Sequence, residues 1–91
     1  MKTKTKTLPK ENLQEQVITL CDLVLYNDDI HTFDFVIQTL MDVCGHEQVQ
    51  AEQCATLVHL KGKCGVKRGS FNVLKPKCEA LLEKGLSATI E

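Results

Sequence analysis

A chain of 91 residues makes one domain with a single modest core, and its 43% apolar and 25% charged content is that of a soluble globular protein. A formal net charge of -1 gives no general attraction to phosphate backbones, which argues against nucleic acid as a partner. No apolar run approaches the roughly 20 residues that span a bilayer, and the N-terminal lysines are not followed by the apolar stretch of a secretory signal, so no membrane partner is expected.

Residues 1–16 alternate Lys with Thr and then read Leu8-Pro9-Lys10-Glu11-Asn12. A segment so poor in apolar side chains cannot bury a face, which makes it a flexible arm ahead of a folded domain over residues 17–91. Leu20 to Tyr26 reads as a strand, with Cys21, Leu23 and Leu25 on one face by period two and Asp22 on the other. Asn27-Asp28-Asp29 follows at once.

A first helix is expected over Thr32 to Cys44, where Phe33, Val36, Ile37, Leu40, Met41 and Cys44 form an apolar stripe. His31 or Thr32 can cap it, Asp34 suits the first turn, and Gly45 stops it. A second helix is expected over Glu47 to Leu60, with the small stripe Ala51, Cys54, Ala55 and Val58 ended by Lys61-Gly62. Lys63 to Lys67 reads as a short strand with Cys64 and Val66 on one face. Ser70 has the look of a cap, but Pro76 is awkward inside a helix. An irregular turn over Phe71 to Leu74 is therefore expected, then a helix over Lys75 to Lys84 with Leu74, Cys78, Leu81 and Leu82 facing inward. Ser87 to Glu91 is a last strand with Ala88 and Ile90 on one face, so the order is β-α-α-β-α-β and the class α/β.

Three chemistries compete for the remaining residues. Asn27-Asp28-Asp29 places three acceptor-rich side chains where a strand meets a helix. They can cap that helix, bind a cation, or hold the ammonium group of a ligand. His59, beside Val58 near the end of the second helix, adds a neutral imidazole acceptor. If the two helices pack side by side, Asn27, Asp28 and His59 surround one opening above an apolar floor of Ile30, Phe33, Val36, Ala55 and Val58. An α-ammonium has three donors to match those acceptors.

Metal binding is the second chemistry, since Cys44, His46, Cys54, His59 and Cys64 cluster in sequence. Only Cys44-Gly45-His46 has ligand-like spacing, and zinc sites need such a pair twice, so no metal and no cofactor is expected. The five cysteines, unpaired in number and set among apolar neighbours, read as reduced core thiols of a cytoplasmic protein. The third chemistry pairs Cys54 or Cys64 with His59 as nucleophile and base, but no helix-start nucleophile or oxyanion loop accompanies them. Lys61, Lys63, Lys67 and Arg68 lack interleaved aromatics and read as a solvated edge.

Over about Leu20 to Glu91 the chain resembles the ClpS family, adaptors of the ATP-dependent Clp protease. The likeness rests on Val24-Leu25-Tyr26-Asn27-Asp28-Asp29 followed by Phe35-Val36. It continues in Val58-His59 followed by Lys61-Gly62-Lys63 and Cys64-Gly65-Val66. The resemblance implies an α+β sandwich, with a three-stranded antiparallel sheet packed against three helices, and no catalysis. It implies binding of proteins whose first residue is bulky and hydrophobic, that is N-degrons, and their delivery to the N-terminal domain of a Clp-family AAA+ unfoldase.

By matching position, the resemblance gives Asn27, Asp28 and His59 to the α-amino group, Asp29 to shaping the same loop, and Val36 and Val58 to the side-chain pocket. Lys75 matches a family lysine on the unfoldase-docking surface, and the arm matches an extension used in delivery. The chain departs from the family in having His31-Thr32 where Thr-Pro is common, and Phe33 and Ala55 where Met is common. The loop between Gly62 and Cys64 is about two residues shorter by direct comparison, and Ser70 replaces an acidic residue. These departures leave a second possibility from another class: a domain that docks on a Clp unfoldase without reading N-termini.

Overall fold

A computed structural model of the chain describes residues 19–91. The arm assigned to residues 1–16, and the start of the domain at 17, lie outside the described residues. The elements are β1 (Leu20–Tyr26), α1 (Phe33–Cys44), α2 (Gln48–Lys61), β2 (Lys63–Ser70), α3 (Phe71–Glu83) and β3 (Ser87–Ile90). Strand β1 is central, in the order β2-β1-β3, and both its partners are antiparallel. The three helices pack on this sheet, as the resemblance implied.

Period two along β1 sends Leu23 and Leu25 into the core, where they are fully buried. Leu40 and Cys44 of α1, Ala51 and Val58 of α2, and Leu74, Cys78 and Leu81 of α3 meet them, with Val66, Leu86 and Ala88 closing the cluster. Each buried leucine contributes about 1.5–3 kcal/mol by leaving water. Burial also pushes the Cys44 and Cys78 thiols above their ordinary range, so both remain protonated core residues at neutral pH.

Helix boundaries follow from caps. Thr32 Oγ1 accepts a hydrogen bond from the Phe35 N–H at 3.0 Å, so Thr32 rather than His31 begins α1. Gly45 (φ 71°) and Gly62 (φ 90°) end α1 and α2 in left-handed backbone that side chains disfavour. Only Gly45, His46 and Glu47 separate α1 from α2, so the two helices run antiparallel. The start of α1 therefore lies beside the end of α2.

Three expectations are corrected. Strand β2 runs to Ser70, and α3 begins at Phe71, not Lys75. Ser70 does cap it, its hydroxyl accepting from the Val73 N–H at 3.4 Å, and the buried Leu74 anchors this first turn. Pro76 is the sixth helical residue and removes the bond to the Asn72 carbonyl. Asn72 and Pro76 are both exposed, so that carbonyl is not stranded in the core. Leu82 is 49% exposed instead of facing inward, because Leu74, Cys78 and Leu81 already complete the buried stripe and Leu82 lies 100° further round.

The β1–β2 register shifts between Leu23, which faces Lys67, and Val24, which faces Gly65. Val66 is the unmatched residue of this bulge. Its carbonyl accepts from Nε2 of His46 at 2.7 Å, and His46 is buried. A histidine that apolar periodicity cannot register thus holds the α1–α2 loop to the sheet.

Candidate functional site

Strand pairing builds one side of the site. Tyr26 pairs with Lys63, and the next backbone N–H, that of Asn27, donates to the Gly62 carbonyl at 2.9 Å. This bond ties the end of β1 to the turn that leaves α2, three residues beyond His59. The antiparallel α1–α2 pair builds the other side, since Phe33 and Val36 are one turn apart on α1, and Ala55 and Val58 on α2. Asn27, Phe33, Val36, Ala55, Val58 and His59 together line a cavity of about 240 Å³. Ala55 and Val58 are buried and form its floor, while Asn27 and His59 are exposed at its polar rim.

Asp28 is placed differently from the expectation. It does not line the cavity, and its carboxylate is turned onto its own loop. Oδ1 accepts from the backbone N–H of Ile30 and of His31, both at 2.9 Å. The Nδ1 of His31 lies 3.1 Å from Oδ1 and 3.0 Å from Oδ2. Partial burial by itself would raise the Asp28 carboxyl. The His31 and Ile30 N–H groups and the His31 imidazole outweigh that and hold it below the ordinary carboxylate range. Its negative charge is therefore retained beside the rim.

Asp29 is exposed in the same loop. Ile30 corrects the expected floor: it is 84% exposed and no part of the lining, because the turn closed by Asp28 throws it outward. Lys75 is exposed on α3, whose lining contribution to the cavity is nil.

A second, larger depression of about 630 Å³ lies on the outer face of α2. The described residues that line it are Val49, Glu52, Gln53, Thr56 and Leu57. Two of its polar side chains are taken within the helix: Glu52 accepts from the Gln48 amide at 3.1 Å, and the Thr56 hydroxyl donates to the Glu52 carbonyl at 2.8 Å.

The competing chemistries fare as follows. Burial first, then contact with the Cys64 thiol, pushes Cys54 up to about 12, so it is a protonated thiol at neutral pH. His46 gives its Nε2 to Val66, away from any ligand set. Among the described residues no group of three or more His, Cys, Asp or Glu is placed to hold a metal ion. Among them, too, no helix is long and apolar enough to cross a membrane.

The profile of the family described as "ATP-dependent Clp protease adaptor protein ClpS" matches residues 18–89. The chain belongs to the ClpS family. Curated ClpS adapter proteins of Campylobacter jejuni subsp. jejuni and of subsp. doylei are each 33% identical to it over 76 residues, covering 81% of this chain and 77% of the relative. Among solved structures, Agrobacterium tumefaciens ClpS2 bound to L-phenylalaninamide matches with a TM-score of 0.75 and 25% identity, covering 82% of this chain and 98% of that one. The β-α-α-β-α-β order is thus that of a ClpS domain, and the family identifies the chain as a bacterial-type adaptor of the Clp protease.

Sequence reasoning brought together the six residues that line this cavity, with Asp28 and Ile30 in excess. What it missed is His31, which it treated only as an alternative cap. The signal was present in the spacing, since Asp28 and His31 are three residues apart beside a helix start, where an Asp side chain commonly turns back on the backbone.

Proposed function

We propose that this chain reads the first residue of its client proteins, accepting a free α-amino group with a bulky hydrophobic side chain, and delivers those clients to a Clp-family AAA+ unfoldase. The observation that carries the reading is the cavity itself. It sets two acceptor side chains, Asn27 and His59, at the rim of an apolar recess made by Phe33, Val36, Ala55 and Val58. At about 240 Å³ it falls below the roughly 300–1,000 Å³ of sites for drug-sized ligands and suits a single amino-acid residue. L-phenylalaninamide, the ligand of the Agrobacterium relative, is such a residue, with a free amine and an aromatic side chain.

The division of labour follows from chemistry. An α-ammonium offers three N–H donors, and the Asn27 carbonyl oxygen and a neutral His59 nitrogen accept two of them. Asp28 adds a fixed negative charge close by, and Asp29 a second one in the same loop. The apolar recess takes the side chain, which leaves water on entry. None of these roles needs a bond to be made or broken, so the adaptor acts without catalysis. Lys75, exposed on α3 and outside the lining of the recess, is assigned to the face that meets the N-terminal domain of the unfoldase. Membership of the Clp protease adaptor family supports a cytoplasmic location.

A fluorescence titration with peptides that differ only in residue one tests the reading. Leu, Phe, Tyr and Trp, which branch at or beyond the γ-carbon, should bind. Val and Ile, branched at the β-carbon where Phe33 and Val36 narrow the mouth, should bind worse by some 5- to 150-fold, the equivalent of about 1–3 kcal/mol of overpacking. Equal binding of all six would overturn the narrow mouth, and binding of none would favour a chain that meets its unfoldase without reading N-termini.

A further inference from the structure

His31 makes more contacts than a loop residue needs. Its backbone N–H and its Nδ1 both address the Asp28 carboxylate, at 2.9 Å and 3.0–3.1 Å. Facing a carboxylate, Nδ1 carries the ring proton. One face of the ring stacks on Phe35 of α1, with centroids 4.9 Å apart and planes 20° from parallel. The far edge meets the turn between α3 and β3, where a Cβ added at Gly85 would lie 3.1 Å from Nε2. One half-buried imidazole therefore joins the loop after β1, the first helix, and the last turn of the chain.

The loop it holds begins at Asn27. On its β1 side, Asn27 is fixed by the bond from its N–H to the Gly62 carbonyl. On its other side the chain is closed by the Asp28 carboxylate, which gathers the Ile30 and His31 N–H groups and the His31 ring. Without the ring, the carboxylate keeps two backbone donors but loses its only side-chain partner among the described residues, and is free to swing.

We infer that His31 is the positioning residue of the amine end of the site: it clamps Asp28 and so presents Asn27 to the incoming α-ammonium in a fixed geometry. The inference rests on the reading of Asn27 as an amine acceptor given above. A pre-ordered acceptor binds more tightly than a mobile one because less freedom is lost on binding. His31 is not one of the residues that line the cavity, so its effect should be blind to the ligand's side chain.

The test is a double-mutant cycle read by titration of Leu-first and Phe-first peptides with free amines. His31→Ala should weaken both by roughly 10-fold, the scale of one charge-assisted hydrogen bond, and leave their ratio unchanged. His31→Asn places an amide N–H where Nδ1–H stood and should restore most of the loss. In the Asp28→Ala background, His31→Ala should cost nothing further.

Full affinity in His31→Ala would overturn the inference. So would losses that multiply in the double variant, or a loss that Asn does not rescue, which would make the ring only a packing element. The side-chain amide signals of Asn27 in a nitrogen-edited NMR spectrum give a readout that needs no peptide. They should shift or broaden in His31→Ala and return in His31→Asn, and unchanged signals would sink the clamp. If wild type binds neither peptide, the reading of the site has failed, and the NMR arm still decides the role of His31.

Discussion

Two faces of α2 each carry a hollow, and the two differ in an instructive way. The outer one is larger, about 630 Å³ against about 240 Å³, and it is apolar as well. Yet every described residue lining it comes from one helix, and its carboxylate and hydroxyl are bonded within that helix. The inner hollow draws on the end of β1, on α1 and on α2, and its rim carries an amide and an imidazole that take no hydrogen bond among the described residues. On the proposed reading, volume is a poor guide to recognition here. Convergence of unspent polar groups from separate elements, above a buried floor, is the better one.

The largest expected break in this contrast is at His59. His59→Ala removes an acceptor for a charged donor, worth about 1.5–3 kcal/mol, so affinity for a Leu-first peptide should fall some 10- to 150-fold in a direct titration. Retained affinity would show that the rim does not work as described. Next come changes to the recess. Ala55→Met fills the buried floor and should weaken Trp-first peptides most and Leu-first peptides least. Phe33→Ala widens the mouth and should move the Leu-to-Ile ratio toward one. Titration of three peptides against both variants checks this, and an unchanged ratio in Phe33→Ala would refute the narrowing of the mouth by Phe33.

How much of this contrast the sequence could carry differs by residue. Alternation at Leu23 and Leu25, the stripe through Leu40 and Cys44, and the glycines at 45 and 62 are local signals, and the elements follow from them. The recess was legible because Phe33 with Val36 and Ala55 with Val58 each repeat one helical turn. The start of α3 was not, because the penalty of Pro76 is visible in sequence while the cap at Ser70 and the burial of Leu74 that offset it depend on packing. The outward turn of Ile30 and the inward bonding of Asp28 escaped the sequence for one reason. A tripeptide of acceptors does not reveal which of its oxygens its own backbone will take, and here Asp28 was taken by Ile30 and His31. The buried His46 and the bulge at Val66 involve residues 20 apart, beyond any periodic signal.

A smaller effect concerns acid. Asp28 is held below the ordinary carboxylate range in the fold. A depressed folded value contributes stability that is fully present above the unfolded value, about 3.9, and is lost as pH falls through the folded one. Wild type should therefore exceed Asp28→Asn in denaturant midpoint at neutral pH, with the gap closing below about pH 4. A gap that persists in acid would show that Asp28 acts through shape alone. The smallest effect is on the outer face of α2. Leu57→Ser should change peptide affinity by no more than about twofold, the range of a surface substitution away from a site. A large loss there would make the outer hollow the peptide site and reverse the contrast.

The measurement that bears most directly on the account is a calorimetric titration of one Leu-first peptide in two forms, with its N-terminus free and with it acetylated. Acetylation leaves the side chain intact, removes the positive charge, and takes away two of three donors. If Asn27 and His59 read an α-ammonium, the free peptide binds and the acetylated one leaves both acceptors unpaired, at about 1–3 kcal/mol each, with binding reduced at least 30-fold. Equal affinities for the two forms would contradict the account, because the apolar recess alone would then be doing the binding.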